Sequence, residues 1–258
     1  MPTEKPSDQN RDARSEGVMT VTAHLAELRK RIIWSFVGIT VAAIGGWFLY
    51  EIALAHITSP MKDIAGANLN FQTIGAAFDL KIRVSLWLGV LIASPWWIYQ
   101  IMAFIWPGLR RRERLWMLLF GVAGVILFAA GAVFGDWTAP RAVSILSSFT
   151  PPDSAMLLQA DAYIKFYIRL VLAFGISFLI PEILVMLNFL GVLKARTMLK
   201  GWRWATMVAF IFSAIANPLP TPWPVILQAS ALLALYFLAV GIAALHDWRR
   251  SRKNPSPS

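Results

Sequence analysis

A short segment near the start of the chain concentrates charge immediately before a long apolar run. Residues 24–31 read HLAELRKR, and the apolar run begins at Ile32. If the segment is helical, Glu27 and Arg31 are four residues apart and share one face of the helix. Spacing alone leaves two interpretations open. The segment is either a membrane-interface helix with basic residues on the cytoplasmic side, or a binding site built from its charged groups.

A second segment places one acid among four arginines. Residues 104–114 read FIWPGLRRRER and lie between two apolar runs. The arginines can simply neutralise Glu113. Alternatively, Glu113 is held for a cationic guest, because a carboxylate accepts a guanidinium group through two parallel hydrogen bonds.

The third candidate is Glu182, the one charged residue in the run 170–193. A carboxylate inside a membrane costs free energy, faces protein or water rather than lipid, and is a functional candidate by default. A structural acid that is held by hydrogen bonds fits the sequence equally well.

Recognisable motifs of enzyme chemistry are missing from the sequence. The three histidines, His24, His56 and His246, are far apart, and there is no cysteine for disulfide, thiol or thiolate-metal chemistry. The sequence contains no HExxH, GxSxG or Walker-type glycine-rich motif. We therefore expect no enzyme activity, no bound metal and no cofactor.

The composition indicates a membrane protein, in which lipid-embedded helices hold these residues. Hydrophobic residues make up 57% of the chain and charged residues 15%, whereas soluble domains have about 45–50% and about 25%. Runs long enough to span a bilayer recur, and such runs fold as helices because lipid cannot satisfy the backbone. The runs are residues 32–50, 84–109, 115–135, 170–193 and 204–245.

The last run is too long for one span and carries four prolines, Pro218, Pro220, Pro222 and Pro224. Prolines break a helix interior, so the run is either two short spans with a tight turn or one span with a surface segment. In the first case, residues 204–216 form a fifth span of about 20 Å, well below the hydrocarbon thickness of about 30 Å. A helix that short is expected to thin the bilayer locally or to require cover from a neighbouring segment.

The distribution of basic residues favours six spans. With six spans, 18 of the 24 basic residues fall on the side that holds both termini. The other side holds the remaining 6, namely Lys62, Lys81, Arg83, Arg141, Lys165 and Arg169. Cytoplasmic loops carry the excess of Lys and Arg, whereas five spans would send the basic residues 247–253 to the outside.

We thus predict an all-α polytopic membrane protein with six transmembrane helices, both termini in the cytoplasm and short fifth and sixth helices. Residues 1–21 are expected to be a disordered cytoplasmic tail and not a secretory signal peptide, because they are polar and mixed in charge. Residues 22–246 form the membrane domain and residues 247–258 a basic cytoplasmic tail. The net charge of +10 then belongs to the membrane topology and not to a nucleic-acid partner.

Together the two charged segments resemble TatC, a subunit of the twin-arginine protein translocase. Residues 24–31 look like the N-terminal signature of that family. Residues 94–114 look like its second span and first cytoplasmic loop. The matching residues are Ser94-Pro95, Tyr99-Gln100, Ala103-Phe104-Ile105, Pro107, Leu109 and Glu113-Arg114. Residues 174–178 (FGISF), followed by Pro181, resemble its fourth span. The resemblance covers about residues 22–246.

The resemblance implies a six-span core receptor in the prokaryotic inner membrane for folded precursors that carry a twin-arginine signal peptide. It implies oligomeric complexes with single-span TatA/TatB-type subunits and transport driven by the proton-motive force without nucleotide. The positions implied for the signal-peptide site are Glu27, Arg29, Arg31, Phe104, Pro107, Leu109 and Glu113. In addition, Gln228 aligns with an intramembrane glutamine and Pro60 with a proline of the first outer loop.

The chain departs from the family pattern at polar positions within the membrane. The fourth-span acid of the family falls here at Leu179, and Glu182 lies three residues later, close to one helical turn. The turn before the sixth span carries no aspartate, and Asp136-Trp137 replaces an aromatic pair.

These departures leave two alternatives to a translocase receptor. One is a scaffold relative that assembles without transporting. The other is a small-solute transporter that uses Glu182 and the broken last pair of helices. The lack of internal repeats argues against the transporter.

Overall fold

The computed structural model describes residues 21–61, 75–105, 114–148, 160–216 and 222–253. These ranges are helical and contain no β-strand. The helices are α1 (Val21–Thr58), α2 (Ala76–Ile92), α3 (Ser94–Ile105), α4 (Arg114–Ser147), α5 (Ala160–Phe189), α6 (Ala195–Lys200), α7 (Trp202–Ala216) and α8 (Pro222–Lys253). A short 3-10 turn, Ser59–Met61, follows α1.

Four of these helices are long and apolar enough to cross a membrane by length and composition. The candidate spans are Thr22–Thr58, Leu118–Ile145, Asp161–Phe189 and Pro222–Arg249, and the shorter Trp202–Ala216 is also apolar. The predicted second span is divided into α2 and α3 at Ala93, two residues before Pro95. Proline has no N–H to continue the α2 hydrogen-bond pattern, which explains a break at this point.

The prediction of two short terminal helices is right for α7 and wrong for α8. Helix α7 has 15 residues, about 22 Å, whereas α8 has 32 residues. The error lies in the treatment of Pro222 and Pro224 as helix breakers. Both lie in the first turn of α8, where the backbone N–H groups have no partner within the helix and proline is tolerated. The turn itself lies outside the described residues.

The sequence predicts that α4 stops near Gly135, and this prediction is wrong. The helix continues past Pro140 to Ser147. At the far end of the chain, α8 runs on through the basic residues 249–253.

The helix ends that carry the basic residues meet at one end of the bundle, hereafter the basic end. The N-terminal part of α1 contacts the C-terminus of α3, where the rings of His24 and Phe104 stack. Phe189 at the C-terminus of α5 contacts Phe120 of α4 and His246 of α8. The opposite end is held by Tyr163 of α5, whose hydroxyl donates to the carbonyl oxygen of Ile57 over 2.8 Å.

The core of the bundle is the packing of α5 against α4 and α8, while α1 packs on α2 and α3. Small residues allow the α4–α5 contact. A Cβ at Gly131 would lie 2.5 Å from the carbonyl oxygen of Phe174, and one at Gly135 would lie 2.8 Å from the Cα of Val171. Close approach at small residues is how helices associate in lipid. Large apolar side chains such as Phe48 and Ile215 cover the outer surface.

Candidate functional site

Trp96 of α3 makes a hydrogen bond and a close ring contact with α1. The indole Nε1 of Trp96 donates to the carbonyl oxygen of Trp34 over 2.8 Å. Its ring lies on Gly38, where a Cβ would stand 2.2 Å from Trp96 Cδ1. The contact therefore requires glycine at position 38 and sets the register in which α3 runs along α1 toward the basic end.

Toward the basic end, Arg31 joins the two helices. Its Nη2 donates to Glu27 Oε1 over 3.3 Å on the same helix, and its Nη1 donates to Gln100 Oε1 of α3 over 3.1 Å. The pairing of Glu27 with Arg31 is the one that the four-residue spacing predicts. Gln100 is 4% exposed, so the guanidinium group is held between a carboxylate and a buried amide.

One carboxylate oxygen of Glu27, Oε2, is buried and accepts no hydrogen bond from the described residues. The side chain as a whole is 18% exposed. A buried acceptor without a donor costs about 1–3 kcal/mol. The arrangement is therefore suited to a second cationic donor beside Arg31.

A stacked pair of rings lies at the same end of the α1–α3 pair as this acid. The ring centroids of His24 and Phe104 are 4.3 Å apart and the planes are within 21° of parallel. Phe104 is half-buried, and Arg29 is exposed. The structure thus brings Glu27, Arg31 and Phe104 to one end of the α1–α3 pair.

Three of the predicted site residues, Pro107, Leu109 and Glu113, lie outside the described residues. The helices on either side, α3 and α4, pack together, and Glu113 directly precedes α4. The convergence of Glu27 and Glu113 on one guest stays a prediction.

Comparison with known proteins identifies the fold that carries this site. The family model for the Sec-independent protein translocase protein (TatC) matches residues 23–230. The chain belongs to the TatC family. It is also a multi-pass membrane protein, as the four long apolar helices indicate.

Relatives and solved structures of the TatC family match most of the chain. The Sec-independent protein translocase protein TatC of Xylanimonas cellulosilytica is 43% identical over 243 residues, covering 91% of this chain and 87% of the relative. That of Rothia mucilaginosa is 34% identical and covers 98% and 88%. A crystal structure of the twin-arginine translocase receptor TatC is 29% identical with a TM-score of 0.75, covering 86% of this chain and 98% of that one.

The intramembrane acid of this TatC-family chain faces the interior of the bundle. Glu182 is 6% exposed, and its carboxylate lies against Gly124 of α4. Its Oε1 has no hydrogen-bond partner within the described ranges. The sequence expectation that such an acid faces protein rather than lipid is confirmed for this side chain.

Gln228 and Pro60 occupy different surroundings. Gln228 is fully buried, and its Nε2 donates to the hydroxyl of Ser177 on α5 over 3.0 Å. Pro60 lies in the turn that follows α1, at the end opposite to Glu27. A role for either residue in partner contact stays a prediction.

Gln100 and His24 belong to the motifs quoted from the sequence, but neither was among the predicted site residues. Gln100 lies four residues before Phe104 and therefore on the same helical face, a signal that could have identified it. His24 lies three residues before Glu27. In the described ranges no three His, Asp or Glu side chains cluster as metal ligands would.

Proposed function

We propose that the protein is the twin-arginine receptor subunit of a Sec-independent translocase and binds signal peptides at the basic end. The observation that carries the proposal is the Glu27 carboxylate, which lies beside Arg31 and has one buried oxygen without a partner in the described part of the chain. Membership of the TatC family supports it.

In this proposal, Glu27 and Glu113 each accept one guanidinium group of the arginine pair. Carboxylate–guanidinium pairs are often bidentate, and hydrogen bonds between charged groups are about twice as strong as neutral ones. Phe104, Pro107 and Leu109 supply apolar contacts next to the acids. Arg31 positions Glu27, and Arg29 contributes to the same face.

The proposed topology has six spans with both termini in the cytoplasm of a prokaryotic cell, and the membrane is the inner membrane. The second span is α2 with α3, and the fifth is the short α7. Support comes from the basic residues near the start of α1, the start of α6 and the end of α8, which share the basic end, since cytoplasmic segments carry the excess of Lys and Arg.

The proposed partners are TatA/TatB-type single-span subunits in an oligomeric complex, folded precursors with twin-arginine signals, and membrane lipid. Transport uses the proton-motive force, without nucleotide, cofactor or enzymatic step. The apolar outer surface of the helices supports contact with membrane lipid.

The decisive experiment is site-specific cross-linking of a twin-arginine precursor to the full-length protein in membranes. We expect Glu27→Gln to weaken capture at least about tenfold, the equivalent of about 1.4 kcal/mol. Glu51→Gln is the matched control, since Glu51 is an exposed acid toward the other end of α1. Equal capture by wild type and Glu27→Gln would refute the assignment.

A scaffold that binds partners without transporting is the second candidate. The observation that favours it is the position of the intramembrane acid at Glu182, where the buried carboxylate lies against Gly124 of α4. Complementation of a strain that lacks its translocase core distinguishes the two. Export of a twin-arginine precursor supports the receptor, and partner binding without export supports the scaffold.

A further inference from the structure

Two hydrogen bonds join the short helix α6 to α8. At its start, the backbone N–H of Ala195 donates to Asp247 Oδ2 over 2.9 Å. At its other end, the hydroxyl of Tyr236 donates to the carbonyl oxygen of Met198. Asp247 and Tyr236 are about 16 Å apart along a helix. Helix α6 therefore runs from the basic end of α8 toward its middle.

Helix α7 consequently begins beside the middle of α8 and not beside its basic end. It is about 22 Å long, close to the length of α8 from Pro222 to Phe237. The remaining half of α8 extends further toward the basic end. The basic residues that precede and begin α7, Lys200 and Arg203, therefore lie beside the middle of α8 rather than at its basic end.

A groove of about 670 Å³ opens where α7 begins, lined by Leu199, Lys200, Trp202, Arg203 and Phe237. Its size is within the range of about 300–1,000 Å³ for ligand clefts. Both cations are exposed, and no acidic side chain within the described ranges forms an ion pair with either of them. The Arg203 guanidinium lies 5.8 Å from the ring of Trp202.

We propose that this groove binds one anionic phospholipid from the leaflet at the basic end. Lys200 and Arg203 hold the lipid phosphate, and an acyl chain lies on Leu199, Trp202 and Phe237. A basic pocket between transmembrane helices is suited to an anionic headgroup. Two exposed cations beside apolar side chains are complementary to an anionic headgroup with its acyl chains, whereas an apolar partner helix would supply no negative charge. The proposal does not depend on signal-peptide binding.

The test is native mass spectrometry of the purified full-length chain with increasing dioleoyl phosphatidylglycerol. Two cations at about 1 kcal/mol each predict roughly 30-fold weaker binding for the double variant Lys200→Gln/Arg203→Gln. Lys194→Gln/Arg196→Gln removes the same charge from the same segment outside the groove and should bind like wild type. The charge-conserving variant Lys200→Arg/Arg203→Lys should also retain the lipid, provided that its unfolding midpoint matches wild type.

Three results would overturn the proposal. Dioleoyl phosphatidylcholine could bind wild type as tightly as phosphatidylglycerol, or the two double variants could lose binding equally. Inorganic phosphate at millimolar concentration could displace the lipid completely, which would make the groove a site for free phosphate. A lipid-free dimer would show that a second copy of the chain covers the groove.

Discussion

The carboxylate of Glu182 on α5 lies over Gly124 on α4, where a Cβ atom would stand 2.8 Å from Glu182 Oε2. The glycine therefore makes room for the acid. At Gly131 on the same helix, an added Cβ atom would lie 2.5 Å from the backbone carbonyl oxygen of Phe174. The end of a side chain can move aside, whereas a helix backbone cannot.

This difference predicts unequal costs for two identical substitutions. Gly131→Ala should lower stability by about 1–3 kcal/mol through overpacking. Gly124→Ala should stay within about 1 kcal/mol of wild type, because the carboxylate shifts and alanine favours the helix. Unfolding midpoints of both variants in one detergent measure this. Equal losses would mean that Glu182 cannot move.

The second prediction separates a structural role of Glu182 from a transport role. Glu182→Leu should leave stability unchanged or higher, because it removes a buried carboxylate with an oxygen that lacks a partner in the described ranges. If Glu182 accepts a hydrogen bond during transport, export of a twin-arginine precursor should fall roughly tenfold or more. A hydrogen bond to a charged group contributes about 1.5–3 kcal/mol.

A double variant provides the rescue for that experiment. Leu179→Glu/Glu182→Leu moves the acid one turn along α5, to the position that the family resemblance predicts. Export should recover if any acid near this face suffices. Wild-type export by Glu182→Leu alone would show that the acid is structural.

The third prediction concerns Gln100, which positions Arg31 from α3. Gln100→Leu should weaken precursor binding about fivefold, the equivalent of one net hydrogen bond of about 1 kcal/mol. The loss should be smaller than for Glu27→Gln, because Glu27 itself stays in place. The neighbouring Tyr99 is 53% exposed, and Tyr99→Leu is the control. A dissociation constant for Gln100→Leu equal to that of the control would remove Gln100 from the site.

Sequence reasoning succeeded where a pattern reports directly on lipid or on helical faces. Apolar runs identify the long helices, and the spacing of Glu27 and Arg31 predicts their ion pair, because local spacing determines which side chains share a face. The short α7 was also predictable, since Ala216 ends the run that precedes the proline-rich turn.

The sequence was less informative wherever the outcome depends on position within a helix or on distant contacts. Pro222 and Pro140 both lack a backbone N–H, yet Pro222 begins a helix and Pro140 lies inside one. Asp136 is another case. It is an unexplained departure in the sequence, and the structure shows it accepting from Tyr167 and lying 3.0 Å from His56 Nε2. Pairs separated by 31 and 80 residues leave no periodic signal.

The last prediction concerns Asp247, which ties three segments together at the basic end. One oxygen accepts from Asn188 Nδ2 over 3.1 Å and the other from the backbone N–H of Ala195 over 2.9 Å. Asp247→Ala leaves the buried Ala195 N–H without that acceptor, at a cost of about 1–3 kcal/mol. Helix α6 should then detach locally from α8. Amide hydrogen exchange should accelerate across residues 193–201 and stay unchanged in α2.

Arg249 is an exposed residue two positions later, and Arg249→Ala is the control. It should leave hydrogen exchange in α6 as in wild type. If both variants exchange alike, the remaining Tyr236–Met198 hydrogen bond is sufficient to hold α6, and Asp247 does not determine its position.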